Sequence, residues 1–243
     1  IAVIVVTYNI AINLNEVIWK HQVNQLYPNP NDFQAYMGKV LVGIGLMATV
    51  IALFSGYFLR KFSWTFNAMI PPFILLITGA GFFSFLLFKE AGFGSAFLLF
   101  GSSPLLISVF FGSLQNILAR ATKYTVFDTT KELSFIPLSR ESKLKGKAAI
   151  DGIGSRVGKS GGAIIYQVLL MLLGTISVSI PYVGFILLFV IGAWMLAVRS
   201  LGKQFNALMS TQATVDIADL EQPELEKTGA HLKESAKKQE VTG

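Results

Sequence analysis

The stretch GSRVGKSGG, Gly154 to Gly162, decides how the rest of the chain is read. It contains Gly158-Lys159-Ser160, the closing tripeptide of a phosphate-binding P-loop. The full template, G-x-x-x-x-G-K-[ST], would then need glycine at position 153, where the chain has Ile153. It also needs a preceding strand inside a soluble α/β domain, a context these apolar flanks do not offer. The glycines satisfy a different spacing. Gly154, Gly158 and Gly162 recur every four residues, a double small-xxx-small stripe that lets two membrane helices approach closely. Lys159 is therefore placed on a transmembrane helix.

Composition agrees. Of the 243 residues, 53% are hydrophobic and 14% charged, with a mean hydropathy of +0.58. Soluble domains carry about 25% charged residues, so this is the composition of a membrane protein. The chain has no cysteine and two histidines, His21 and His231, which leaves no disulfide framework and no ligand set for a zinc or di-iron centre. No cofactor is expected. The formal charge of +6 reads as cytoplasmic loops rather than as nucleic-acid binding. The chain begins IAVIVVTYNI, without methionine or a basic leader, and reads as starting inside a helix, with a natural upstream part expected before it.

A membrane-spanning helix needs about 20 mostly apolar residues. Six stretches qualify: Ile1 to Trp19, Tyr36 to Leu59, Trp64 to Phe88, Gly94 to Ala119, Lys147 to Leu173 (polar in its first half) and Pro181 to Leu201. Residues 1–205 then form a six-helix bundle, and the lysine- and glutamate-rich residues 206–243 are expected to be a disordered tail. Arg60, Lys61, Arg120, Lys123, the lysines and arginine of 131–147, Arg199 and Lys203 fall on one side, which the positive-inside rule makes cytoplasmic. Both ends of the bundle lie there. TVFDTTKELSFI, with Val126, Leu133 and Ile136 spaced by polar residues, is expected to be a short interfacial helix. Pro71, Pro72 and Pro104 fall inside spans and are expected to kink them. The fold class is thus an all-α membrane protein of six transmembrane helices, the size of one half of a twelve-helix transporter.

The fifth span carries Asp151, Arg156 and Lys159 into the membrane. On a helix Arg156 and Lys159 lie about 60° apart, on one face. A charge at mid-bilayer costs roughly 2.5–3.5 kcal/mol on insertion scales, so these groups are expected to face a watery cavity or one another. Asp151 is expected to pair with Arg156. Lys159 is deeper and lacks a partner in its own span. It reads either as a ligand for an anion, phosphate being the strongest common one, or as half of a structural ion pair. In the first span Asn9, Asn13 and Glu16 fall at i, i+4 and i+7, one polar face on an apolar helix. Glu16 reads as a substrate contact, a lysine partner or a proton carrier, or as a hydrated residue at the outer interface. In the fourth span Gln115 and Asn116 suit either a base edge or a neighbouring helix. Lys123 and Arg120 read first as positive-inside anchors and second as phosphate ligands. Tyr8 and Tyr124 lie near the polar faces.

Four blocks then carry a resemblance: NEVIWK (15–20), PNPNDFQAYMG (28–38), LQNILARATKYTVFDTTKELSFIPL (114–138) and KGKAAIDGIGSRVGKSGG (145–162). They resemble the ATP/ADP translocases of obligate intracellular bacteria and plastids, over nearly the whole chain except the tail. The match is to the C-terminal half of that family's twelve-helix protein, which is unrelated to the six-helix mitochondrial carrier. The resemblance implies a fold like the major facilitator superfamily and exchange of external ATP for internal ADP, with phosphate accompanying ADP. It implies that Glu16 and Lys159 match charged residues on which transport depends, and that the absent N-terminal half supplies others. Arg156, where plant-type members tend to have proline, points to a bacterial inner membrane rather than a plastid envelope.

The expected function is accordingly a nucleotide antiporter in a lipid bilayer, with Lys159, Glu16, Arg156, Asn13, Asn116, Lys123 and Asn9 as substrate-binding candidates. The alternative is a proton-coupled nucleotide importer with Glu16 as the proton site. A membrane scaffold has no use for unpaired cations at depth, and a P-loop NTPase fails on spacing. In the favoured reading Lys159 meets a polyphosphate and no bond is cut.

Overall fold

The computed structural model describes residues 1–90 and 103–241. It is built of helices: α1 (Ala2–Leu26), α2 (Pro30–Lys61), α3 (Trp64–Glu90), α4 (Pro104–Thr122), α5 (Asp128–Leu133), α6 (Arg140–Ala148), α7 (Ser155–Leu173) and α8 (Ile176–Val241). Two π-helical segments, Lys123–Phe127 and Ala149–Gly154, join α4 to α5 and α6 to α7. The chain divides into two units, Ile1–Gly202 and Lys203–Gly243. The backbone of α8 is helical through Val241, across a stretch whose composition alone favours disorder.

Local chemistry sets the helix ends. Asn29 caps α2 by accepting from Asn31 N at 2.9 Å, with Pro30 in the first turn where its missing N–H costs nothing. Between α2 and α3, the two N–H groups of Asn67 Nδ2 are shared among Phe58 O, Phe62 O and Ser63 O at 3.1–3.3 Å, tying the end of α2 to the start of α3. Ser103 caps α4 (Leu106 N to its Oγ, 3.2 Å), which places Pro104 at the first helical position. The kink expected at Pro104 is therefore absent: it starts a helix rather than interrupting one. Gly174, at φ 78°, ends α7 in a conformation that favours glycine.

Among the described residues five helical stretches are long and apolar enough to cross a membrane: Ala2–Leu26, Pro30–Lys61, Trp64–Leu87, Pro104–Leu133 and Ile176–Thr211. The chain is thus an all-α, multi-pass membrane protein. The element at the remaining expected span is α7, whose charges and glycines keep it below that level of hydropathy.

Two boundaries move in a way that matters. The helix of the first span runs to Leu26 rather than Trp19, so Glu16 lies well short of its end. The fourth does not stop at Ala119, and its expected start at Gly94 lies outside the described residues. Its helix passes Thr122, widens into the π segment and continues to Leu133. The separate interfacial helix expected at 125–136 is a correction on the same point: most of it is the continuation of this span. Val126 is buried there, while Ile136 is exposed. Hydropathy cut the span at its first charges, yet Arg120 and Lys123 belong inside it. A π segment leaves carbonyls poorly matched to the helical ladder, and threonines here compensate. The hydroxyls of Thr122, Thr125, Thr129 and Thr130 donate to the carbonyls of Leu118, Ala121, Thr125 and Val126 at 2.7–2.9 Å.

The core of the first unit gathers around α1 and α4. Trp19, 1% exposed, donates from Nε1 to Ser113 Oγ at 3.0 Å, and that hydroxyl also meets Tyr36 OH at 2.7 Å. One serine thus joins α1, α2 and α4. Trp64 Nε1 donates to Thr130 O at 2.8 Å and fastens the start of α3 to α5. The glycine stripe of α7 does what its spacing implies. A Cβ on Gly158 would fall 2.6 Å from Asn9 Cβ and 2.8 Å from Val6 O, and one on Gly162 would fall 2.9 Å from Asn13 Cβ. Helices α7 and α1 therefore pack backbone to backbone, which fixes Lys159 against the polar face of α1.

Candidate functional site

A polar cavity of about 250 Å³ opens where these helices meet. Helix α1 lines it with Tyr8, Asn9, Ile12, Asn13 and Glu16. Helix α4 supplies Arg120, the first π segment supplies Lys123 and Tyr124, and α7 supplies Lys159. Five of the seven candidate residues converge here: Lys159, Glu16, Asn13, Lys123 and Asn9. The other two do not line it. Asn116 is buried within the bundle at 4% exposure, and Arg156 is exposed on α7.

The expected Asp151–Arg156 pair is also absent. Asp151 bonds Lys131 Nζ of α5 at 2.7 Å. The π segment 149–154 widens the helix between Asp151 and Arg156, so their five-residue separation does not follow the 3.6 period. Lys131, at 13% exposure, reaches Asp151 from α5 instead, and Lys147 meets Glu132 at 2.6 Å beside it. These pairs tie the two π-containing strands of chain together outside the cavity.

Within the cavity each charge has a distinct situation. Glu16 is bridged: Lys20 Nζ lies 2.7 Å from Oε1 and Arg120 Nη2 lies 2.7 Å from Oε2. Lys123 holds Asp128 at 3.2 Å and lies 4.6 Å from the centroid of the Tyr124 ring. Lys159 has no hydrogen bond or ion pair among the described residues and is exposed to the cavity. The floor is rigid. Tyr8, 3% exposed, stacks on Phe127 at 4.5 Å and meets Trp194 edge-on at 5.5 Å. Asn13 Oδ1 is buried without a hydrogen-bond partner, packed beside Gly162 of α7.

Arg120 also lines the cavity; sequence reasoning read it first as a positive-inside anchor and only second as a phosphate ligand, and left it out of the candidates. A signal was present: Asn116, Arg120 and Lys123 follow the same i, i+4, i+7 spacing as Asn9, Asn13 and Glu16. Two such faces, on α1 and α4, meet here. Two of the other cavities are apolar. One of about 190 Å³ lies between α3 and α8, lined by residues such as Leu75, Phe83 and Phe185, and one of about 500 Å³ is lined by Tyr27, Tyr36 and Phe110 among others. Neither carries a charged group. Among the described residues no cluster of His, Cys, Asp or Glu is arranged to hold a metal.

Three cations, Arg120, Lys123 and Lys159, thus line one small cavity among helices long and apolar enough to cross a membrane. The chain belongs to the TLC ATP/ADP transporter family, whose profile matches residues 1–205. It is 44% identical to ADP,ATP carrier protein 1 of Chlamydia pneumoniae over 208 residues, which is 85% of this chain and 40% of that protein. It is 43% identical over 212 residues to ADP,ATP carrier protein 2, chloroplastic, of Arabidopsis thaliana, covering 87% of this chain and 34% of that protein. It is 36% identical over 244 residues to ADP,ATP carrier protein 2 of Chlamydia trachomatis, covering 99% of this chain and 45% of that protein. The chain therefore spans less than half the length of these relatives. No solved structure matches it.

Proposed function

We propose that this chain is the C-terminal six-helix half of a twelve-helix, major-facilitator-like carrier that exchanges ATP for ADP, with phosphate accompanying ADP. Helix α7 is then the sixth membrane-crossing element, admitted because its charges face the cavity. The observation that carries the reading is the convergence of Lys159, Arg120 and Lys123 on one cavity, with Lys159 unpaired. An ammonium held without a counter-ion at that depth gains most from an anion that enters and leaves, and a polyphosphate supplies several charges.

The cavity's size supports a shared site. Pockets for ligands of drug size measure roughly 300–1,000 Å³, and this one is smaller and open on one side. The absent N-terminal half would supply the facing wall, with the two halves rocking around it. Two of the named relatives are chlamydial and one chloroplastic, and Arg156 favours the bacterial type, so a bacterial inner membrane is the proposed location. The alternative, a proton-coupled importer using Glu16, has less support, because both Glu16 oxygens are engaged by cations.

The test uses the full-length carrier in intact bacterial cells preloaded with labelled ATP. External ADP or ATP should release the label, and buffer or other nucleoside triphosphates should not. Release without any external nucleotide would remove the exchange reading.

A further inference from the structure

We propose that Arg120 is a phosphate ligand of this site, held by Glu16 while the cavity is empty and transferred to the nucleotide when it binds. The proposal rests on the exchanger reading above and adds a residue and a switching step to it.

The geometry points to a transfer because the two partners are unequal. Arg120 engages Glu16 through Nη2 on Oε2 at 2.7 Å and lines the cavity. The other cation on Glu16, Lys20, holds Oε1 at 2.7 Å one helical turn away and is not part of the lining. If Arg120 leaves, Glu16 keeps Lys20, so no carboxylate is stranded in the bundle, which is the event that makes breaking a buried pair costly. Arg120, for its part, presents a planar fork of donors suited to two phosphate oxygens at once. It is 32% exposed, so its head group is reachable from the cavity. Lys159 stands free to make the first contact. Glu16 and the nucleotide thus compete for one guanidinium. A ligand shifts a conformational equilibrium only through unequal affinity for the two states, and exchange of partners at Arg120 provides that inequality.

The experiment measures equilibrium binding of labelled AMP, ADP and ATP to the purified full-length carrier in detergent. Wild type is compared with R120Q, R120K, E16Q and the double variant E16Q/R120Q, with melting temperature monitoring the fold. R120Q should weaken ATP binding about 10- to 100-fold and AMP binding much less, lowering the preference for the longer phosphate chain. R120K, which keeps the charge but loses the fork and is the measure to use if R120Q does not fold, should fall between. E16Q, which removes the competitor, should tighten ADP and ATP binding at least threefold. The double variant should bind as weakly as R120Q. Wild-type affinity in R120Q and R120K, weakened binding in E16Q, or recovery of wild-type affinity in the double variant would each overturn the proposal. Recovery would mean that Arg120 only neutralises Glu16. A wild-type carrier that binds no nucleotide would instead sink the exchanger reading, and this proposal with it.

Discussion

Lys159 is where the account is most exposed to a single substitution. Its ammonium has no partner among the described residues, and its backbone is fixed by Gly158 and Gly162 against α1. In the full-length carrier Lys159→Ala should lower exchange at least about 100-fold, the loss of two charge-assisted hydrogen bonds, while membrane insertion measured by immunoblot stays unchanged. Normal exchange would remove Lys159 from the site. Asn13 offers a finer test. Its Oδ1 is an unpartnered acceptor, and leaving such an atom buried costs about 1–3 kcal/mol. Asn13→Ala should therefore change stability by less than about 1 kcal/mol in a detergent melt, yet weaken nucleotide binding several-fold. Lys159, Glu16 and the asparagines were legible in the sequence because a charge or amide in an apolar helix stands out against its neighbours. Arg120 was read there first as an anchor, because it sits where hydropathy falls and a span seems to end. Its contact with Glu16 joins residues 104 positions apart, a distance no local pattern reports.

At the scale of helices, two features set the site: the glycine stripe of α7 and the π segments. The stripe was readable because a four-residue spacing has one geometric meaning on a helix, and the structure gives it its partner, α1. Gly158→Leu forces side-chain atoms into Asn9 and the Val6 carbonyl. It should lower stability by about 1–3 kcal/mol or more, read as a fall in melting temperature with loss of nucleotide binding. Gly45→Ala meets nothing within 4 Å and is the control. It should hold or raise stability by up to about 1 kcal/mol, the helix-propensity difference. A melting temperature unchanged in Gly158→Leu would mean that α1 and α7 do not pack through the stripe. The π segments could not be read in advance. Nothing in a periodicity analysis marks where a helix widens by one residue, and the second of these segments separates Asp151 from Arg156, leaving Asp151 to Lys131.

For the whole molecule, the helical membrane class followed from composition, and most spans from apolar runs. The spans rich in charge were misplaced because a carrier keeps its charges inside the bilayer-crossing segments, where hydropathy takes them for ends. On the proposed twelve-helix reading, residues 1–205 expressed alone should bind ATP weakly and show no exchange, whereas co-expression with the N-terminal half should restore uptake of labelled ATP. The most direct test of the central claim reconstitutes the full-length carrier into liposomes. Uptake of labelled ATP is compared between vesicles loaded with ADP and empty vesicles, each with and without an imposed proton gradient. The account predicts uptake only into ADP-loaded vesicles, unaffected by the gradient. Uptake into empty vesicles driven by the gradient would contradict it and would make Glu16 a proton site.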